Sequence, residues 1–196
     1  YKQFPPSALL PAGATYDSWS MQARLLPFLE KANLGDLIDW NLDYKSQPAV
    51  TETRVPTYLC PSEVRDHERP DGPLTHYPLN YGVNMGTWLV FNPLRGAGGN
   101  GLVHPNSRTK FASVTDGTSN TAAISERAVY TGSPNRVKGG YAMNVASLDQ
   151  SPIVAMACQG ADGNFAPACT PTSSHRRVGE SWASGYALAG GFNTVI

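Results

Sequence analysis

Apolar positions fall along this chain in short clusters set apart by Gly, Pro, Asn, Asp and Ser, and the clusters differ in period. The clearest helical pattern runs from Asp17 to Leu34, where Trp19, Leu25, Leu26, Phe28 and Leu29 supply an apolar stripe and Asp17 or Ser18 is placed to cap the start. Pro27 lies inside that pattern. Proline has no amide donor and clashes with the preceding turn, so the pattern predicts a kink or two short helices meeting near Leu26. Val55 to Cys60 is a short β-prone run closed by Pro61, and Asn80 to Met85 alternates around Gly82; both predict short strands. Trp88 to Pro105 reads as an apolar strand, a wide glycine-rich turn and a second short strand. Thr121 to Val129 fits a strand or a short helix, Ser147 to Ala157 a capped helix with Pro152 near its start, and Trp182 to Ile196 a glycine-rich turn followed by a β-prone end. The sum is a single loop-rich α+β domain over residues 1–196, with no internal repeat or linker.

Composition narrows the classes of partner. The 15 basic residues balance the 15 acidic ones, which removes the electrostatic footprint expected for a nucleic-acid or anionic-membrane partner. A 41% hydrophobic content at zero formal charge argues for a folded chain rather than a disordered one. Charged residues at 15%, with 19 Gly and 16 Pro, point to loops and short strands. No run approaches the roughly 20 apolar residues of a membrane span. The first residue is Tyr1 rather than methionine, and the expectation is that something in front of it has been removed.

Catalytic patterns are sparse. His67, His76, His104 and His175 sit in four separate polar segments without the pairing that places two imidazoles on one helix face, so no metal or cofactor is expected. The spacing Gly96, Gly98, Gly101 matches a dinucleotide fingerprint, but Pro105 follows where the phosphate-binding helix should begin. In the segment Gly179 to Gly185 (GESWASG), Ala183 occupies the place of the second glycine of a nucleophile elbow. The acidic pairs Asp66/Glu68 and Asp36/Asp39 read as solvated salt-bridge partners rather than an acid/base dyad. Catalytic residues are therefore not assigned, and the chain is not expected to be an enzyme.

Thr115 to Thr121 (TDGTSNT) is dense in small hydrogen-bonding residues. Asp116 and Gly117 suit a tight turn, with Thr118 and Asn120 satisfying loop backbone groups, and Asp116 is expected to accept backbone amides. Trp88, Tyr81 and Trp182, near glycines or polar residues, are the candidates for stacking against a small solute, a glycan or a partner surface, with core packing as the competing role. Cys158 and Cys169 flank a loop-like insert in which a disulfide would restrain the unfolded chain by roughly 2 to 3 kcal/mol. The spacing favours that bridge, with three reduced, buried thiols as the alternative, and it leaves Cys60 without a partner.

Six segments in order, FPPS (Phe4 to Ser7), SW followed by LLPFLEKANL (Ser18 to Leu34), YLCPSE (Tyr58 to Glu63), NYGVNMG (Asn80 to Gly86), TDGTSNT with Glu126 downstream, and GESWASG leading to FNTVI, resemble a planctomycete family of pilin-like secreted proteins. Members carry a prepilin-type cleavage and methylation helix at the N-terminus, and the shared domain is also labelled as a bacterial solute-binding type. The resemblance implies an extracytoplasmic head domain, at the cell surface or in the periplasm, anchored by a long apolar helix upstream of the FPPS segment. It also implies that the remainder of that helix packs on an antiparallel sheet, that partners are other pilin-like subunits or secretion components, and that an exported setting permits the Cys158–Cys169 bridge. It assigns no catalytic residues. A head made to receive such a helix should carry an apolar strip, expected near Leu9, Leu10, Leu25 or Leu29.

Overall fold

A computed structural model describes residues 3–11, 18–87, 90–92, 97–131, 142–143, 158, 160, 162–167, 169–171 and 178–192. The helical pattern from Asp17 to Leu34, expected to kink or divide near Leu26, is three short pieces: α1 (Met21–Leu25), a 3-10 turn (Leu26–Phe28) and α2 (Ala32–Gly35). The cap is Ser20, not Asp17 or Ser18, because the Ser20 hydroxyl accepts from the Ala23 amide at 3.0 Å. Asp17 lies outside the described residues. Pro27 ends α1 as its chemistry requires, and Glu30, at φ 56°, turns the chain so that the Lys31 amide closes on the Leu26 carbonyl at 3.1 Å. Val55 to Cys60 is also not a strand. Pro56 opens a 3-10 turn (Pro56–Tyr58), since its fixed φ and missing amide suit the first position of a helical turn. A further helical turn, α3 (Pro48–Thr51), begins on a proline in the same way.

The strands are short. β1 (Arg69–Asp71) and β2 (Leu74–His76) form an antiparallel hairpin. β3 (Tyr81–Asn84), β4 (Phe91–Asn92), β5 (Ala97–Gly98), β6 (Ile124–Glu126), β7 (Ala142–Met143), β8 (Thr170–Pro171) and β9 (Gly191–Phe192) follow. The β4–β5 pair is the hairpin expected between Trp88 and Pro105, and Thr121 to Val129 resolves to a strand. The central sheet has the order β6-β3-β9 and is mixed rather than antiparallel. β6 runs against β3, but β9, which follows the short helix Ala187–Gly190, runs parallel to it. The fold class is α+β. The segment Ser147–Ala157 and the end of the chain beyond Phe192 lie outside the described residues. Cys158 and Cys169 are disulfide-bonded with Cα atoms 5.6 Å apart, and Cys60 is free.

Among the described residues, two apolar clusters fill the interior. The first gathers Trp19, Ala23, Leu26, Ile38, Tyr44, Val50, Val55, Tyr58, Leu79 and Trp182, so α1 and the turns after it close over the GESWASG segment. The second joins Ala8, Leu10, Met21, Val83, Met85, Val90, Phe91, Leu102 and Val103, packing the other side of α1 on β3. Gln22 ties α1 to the sheet by donating from Nε2 to the Tyr81 and Gly190 carbonyls at 3.3 and 3.2 Å. Where the second cluster meets the loop after β5, Gly101 crosses the backbone at Met85 so closely that a Cβ there would sit 2.0 Å from a carbonyl carbon. The last glycine of the dinucleotide-like spacing thus serves a chain crossing.

Candidate functional site

The residues singled out for stacking are not brought together. Trp182 is fully buried, and its indole N–H donates to the Thr53 carbonyl at 2.9 Å, so its ring is a core element rather than the wall of an open site. Tyr81 opens β3 and is half-buried. Trp88 lies outside the described residues. Thr115 to Thr121 forms turns, but Asp116 does not hold them: its side chain makes no hydrogen bond among the described residues. The fastener is Asn120, whose Nδ2 donates to the Asp116 carbonyl at 2.9 Å, while Thr121 Oγ1 donates to the Gly117 carbonyl at 3.2 Å. Gly117 takes φ 84°, a conformation that a side chain resists.

Several of the recognised segments instead meet around Asn80. Its Nδ2 donates to Glu63 Oε2 at 2.8 Å and to the Arg127 carbonyl at 3.1 Å, and its Oδ1 accepts from the Cys60 amide at 3.0 Å. Burial would raise the Glu63 carboxyl, but hydrogen bonds from Asn80 and the Arg65 amide outweigh it and hold the group below the usual carboxylate range. Arg127 crosses the sheet to the carbonyls of Gly191 and Ala189, and desolvation lowers its pKa to about 10, which leaves the guanidinium charged at neutral pH. Similarly, Ser20 donates to the Trp182 carbonyl at 2.6 Å, and the Gly185 amide donates to the Ser18 carbonyl at 2.8 Å. These contacts hold the recognised segments to one another.

The residues around Asn80 also line a cavity of about 350 Å³, and a separate, mostly apolar groove of about 680 Å³ runs along the second cluster. Met21 and Leu25 of α1, with Val103 and Ala123, line it deepest. One side is Gln3, Phe4 and Pro5 with Phe111, the Phe4 and Phe111 rings packing with centroids 4.2 Å apart and planes tilted by 42°. The other side is Pro27, Phe28 and Trp40, and Ile124 of edge strand β6 also borders the groove. Its rim is exposed: Phe28 63%, Ile124 52%, Phe111 46% and Trp40 45%. Two polar side chains reach it, Gln3 and Arg24. The Arg24 guanidinium lies 4.6 Å over the Trp40 ring, its Nε is buried without a hydrogen-bond partner, and desolvation lowers its pKa.

Of the leucines expected beside an apolar strip, Leu25 lines the groove. Leu9 is exposed but lies outside the lining, Leu10 is buried, and Leu29 packs on the first cluster. Trp40, Phe111, Ile124 and Arg24 were not legible as a group, because each comes from a different segment and no sequence period links them. A separate cavity of about 190 Å³ beside Phe4 and Phe111 is lined in part by Thr118 and Thr121, so the TDGTSNT turn supports one end of the groove. Among the described residues no group of His, Cys, Asp and Glu is arranged to hold a metal ion, and no helix is long and apolar enough to cross a membrane.

The chain belongs to the family SBP_bac_10, described as a protein of unknown function (DUF1559), whose model matches residues 1–189. No curated protein and no solved structure matches it.

Proposed function

We propose that this chain is the head of a pilin-like or pseudopilin-like subunit that acts by assembly outside the cytoplasmic membrane, and that the groove between Phe4 and Trp40 is the seat of an apolar helix. The observation that carries this reading is the groove's open, ring-lined rim, with four large apolar side chains at least 45% exposed around one surface. Monomeric surfaces seldom leave such side chains contiguous unless a partner covers them. The family resemblance sets the anchor helix just upstream of the FPPS segment, and Phe4 and Pro5 of that segment line the groove. A helix reaching Phe4 from upstream arrives at the groove's edge, and its apolar face would take the place of solvent over Phe111 and Ile124.

The rival, an extracytoplasmic solute- or glycan-binding module, asks for a concave site with several convergent polar groups. The groove offers Gln3 and Arg24 against an otherwise apolar lining, which favours a helix over a sugar. The proposed partners are accordingly other subunits of the same kind or secretion components, and membrane attachment is through the upstream helix. The test is covalent footprinting of the gene's full-length product in detergent against the 1–196 chain. Phe28, Phe111 and Ile124 should be labelled in the short chain and protected in the long one. Equal labelling of these residues in both would refute the assembly seat.

A further inference from the structure

Arg24 is at odds with a purely apolar docking surface. Its Nε is already buried without a partner, no hydrogen bond or ion pair engages its guanidinium among the described residues, and its contact is the Trp40 face. Exposed as the groove now is, water can serve the remaining N–H groups. A wholly apolar helix laid over it would strip that water, and an unpaired buried guanidinium is among the costliest groups to bury. The Trp40 ring offsets only part of that cost. An occupant that brings a carboxylate reverses the balance, because the planar guanidinium fork accepts a carboxylate through two parallel hydrogen bonds, and such pairs strengthen as water leaves.

We infer that the groove selects a helix carrying one acidic side chain within its apolar face, and that Arg24 is the residue that recognises it. The inference rests on the assembly reading above and names the chemistry of the partner. A helix is favoured over a fatty acid by the openness of the site: a small amphiphile is held by enclosing most of its surface, whereas Phe28, Phe111 and Ile124 stand half-exposed along the rim. In such an arrangement the acid sits over Arg24 and Trp40, and apolar residues three, four and seven positions away on the same helix face cover Phe111 and Ile124.

The experiment uses two synthetic helical peptides, Leu/Ala-rich on one face and Lys/Gln-rich on the other, identical except for one Glu or one Gln in the centre of the apolar face. Their binding to the 1–196 chain is measured by fluorescence anisotropy. The Glu peptide should bind at least about tenfold more tightly than the Gln peptide, as expected for a desolvated charge pair. Arg24→Met should abolish that preference, and Arg24→Lys, which keeps the charge but loses the fork, should restore only part of it. Arg24→Glu should invert it in favour of a peptide with Lys at the same place. Circular dichroism of each variant establishes that the fold is kept, and Arg24→Lys serves if Arg24→Met does not fold. Equal binding of Glu and Gln peptides that is lost in Phe111→Ser would overturn the acid inference and leave the helix seat standing. Failure of both peptides to bind the wild-type chain would overturn both. Arg24-dependent binding of laurate in place of either peptide would identify an amphiphile site and likewise overturn both.

Discussion

The cluster around Trp182 and the groove beside Phe111 use the same kinds of residue and leave them in opposite states. Around Trp182 three aromatic tips donate to carbonyls: Trp19 Nε1 to Leu42 at 2.9 Å, Trp182 Nε1 to Thr53 at 2.9 Å, and the Tyr58 hydroxyl to Gln22 at 2.5 Å. In the groove, Phe28, Phe111 and Ile124 keep about half their surface in water, and Arg24 has a ring beside it but no acceptor. α1 is shared between them, Ala23 facing the first and Met21 the second. Exposure of an aromatic cannot be judged from its sequence neighbours. What separates a core ring from a groove ring here is where the packing of distant segments places it, and the buried indoles have their N–H groups satisfied inside the fold.

The sharpest way to break this comparison is to truncate one residue on each side. Trp182→Ala should cost about 3 to 5 kcal/mol, because it removes a fully buried indole and leaves the Thr53 carbonyl without its donor. Ile124→Ser should cost under about 1 kcal/mol, since its side chain is 52% exposed. Urea unfolding of the two variants decides the matter. Comparable losses would mean that the groove is a second structural core rather than a surface in waiting.

A smaller effect tests the sealed polar tips. Burial pushes the Tyr58 phenol above its ordinary pKa, so the folded chain holds that proton at pH values where the unfolded chain has released it. Fewer protons are then bound in the unfolded state, and stability must fall as the pH rises above about 10, the ordinary tyrosine value. Tyr58→Phe should lower stability at neutral pH by about 1 to 2 kcal/mol, by stranding the buried Gln22 carbonyl, and should flatten the alkaline decline. Denaturant midpoints measured at pH 7 and above pH 10 check both parts. A variant with an unchanged alkaline slope would show that the phenol is not sealed.

The features legible in the sequence were those set by local chemistry. Pro27 broke the helix where it had to, Asn80 to Met85 gave β3, and the Cys158–Cys169 insert closed on itself. Pro56 was misleading: β-prone neighbours pointed to a strand, but a proline with fixed φ opened a helical turn instead. A β-prone end was legible after Trp182, but the parallel pairing of β9 with β3 was not, because it joins segments far apart in the chain that no sequence period links. The groove was hidden for a related reason. Arg24, Trp40, Phe111 and Ile124 are brought together by packing over long sequence separations, and Trp182, a stacking candidate in the sequence, went to the core.

The finest test concerns the turn that supports one end of the groove. Asp116 was the residue expected to hold it, yet its carboxylate makes no hydrogen bond among the described residues, whereas the Asn120 amide spans back to the Asp116 carbonyl and Gly117 supplies the positive φ. Asp116→Ala should therefore change stability by less than about 0.5 kcal/mol, as for a surface substitution that removes no contact. Asn120→Ala should cost about 1 kcal/mol, the usual size for a lost turn hydrogen bond. The second variant should also reach the groove, because Thr118 and Thr121 line the small cavity against Phe4 and Phe111. Loosening the turn should shift the methyl and ring resonances of Val114 and Phe111 while leaving those of Tyr58 and Trp182 in place. If both sets moved together, the two regions would be one cooperative unit, and the division between a sealed core and an open groove would fail. If Asp116→Ala proved the costlier of the two, the fastening role would return to the carboxylate.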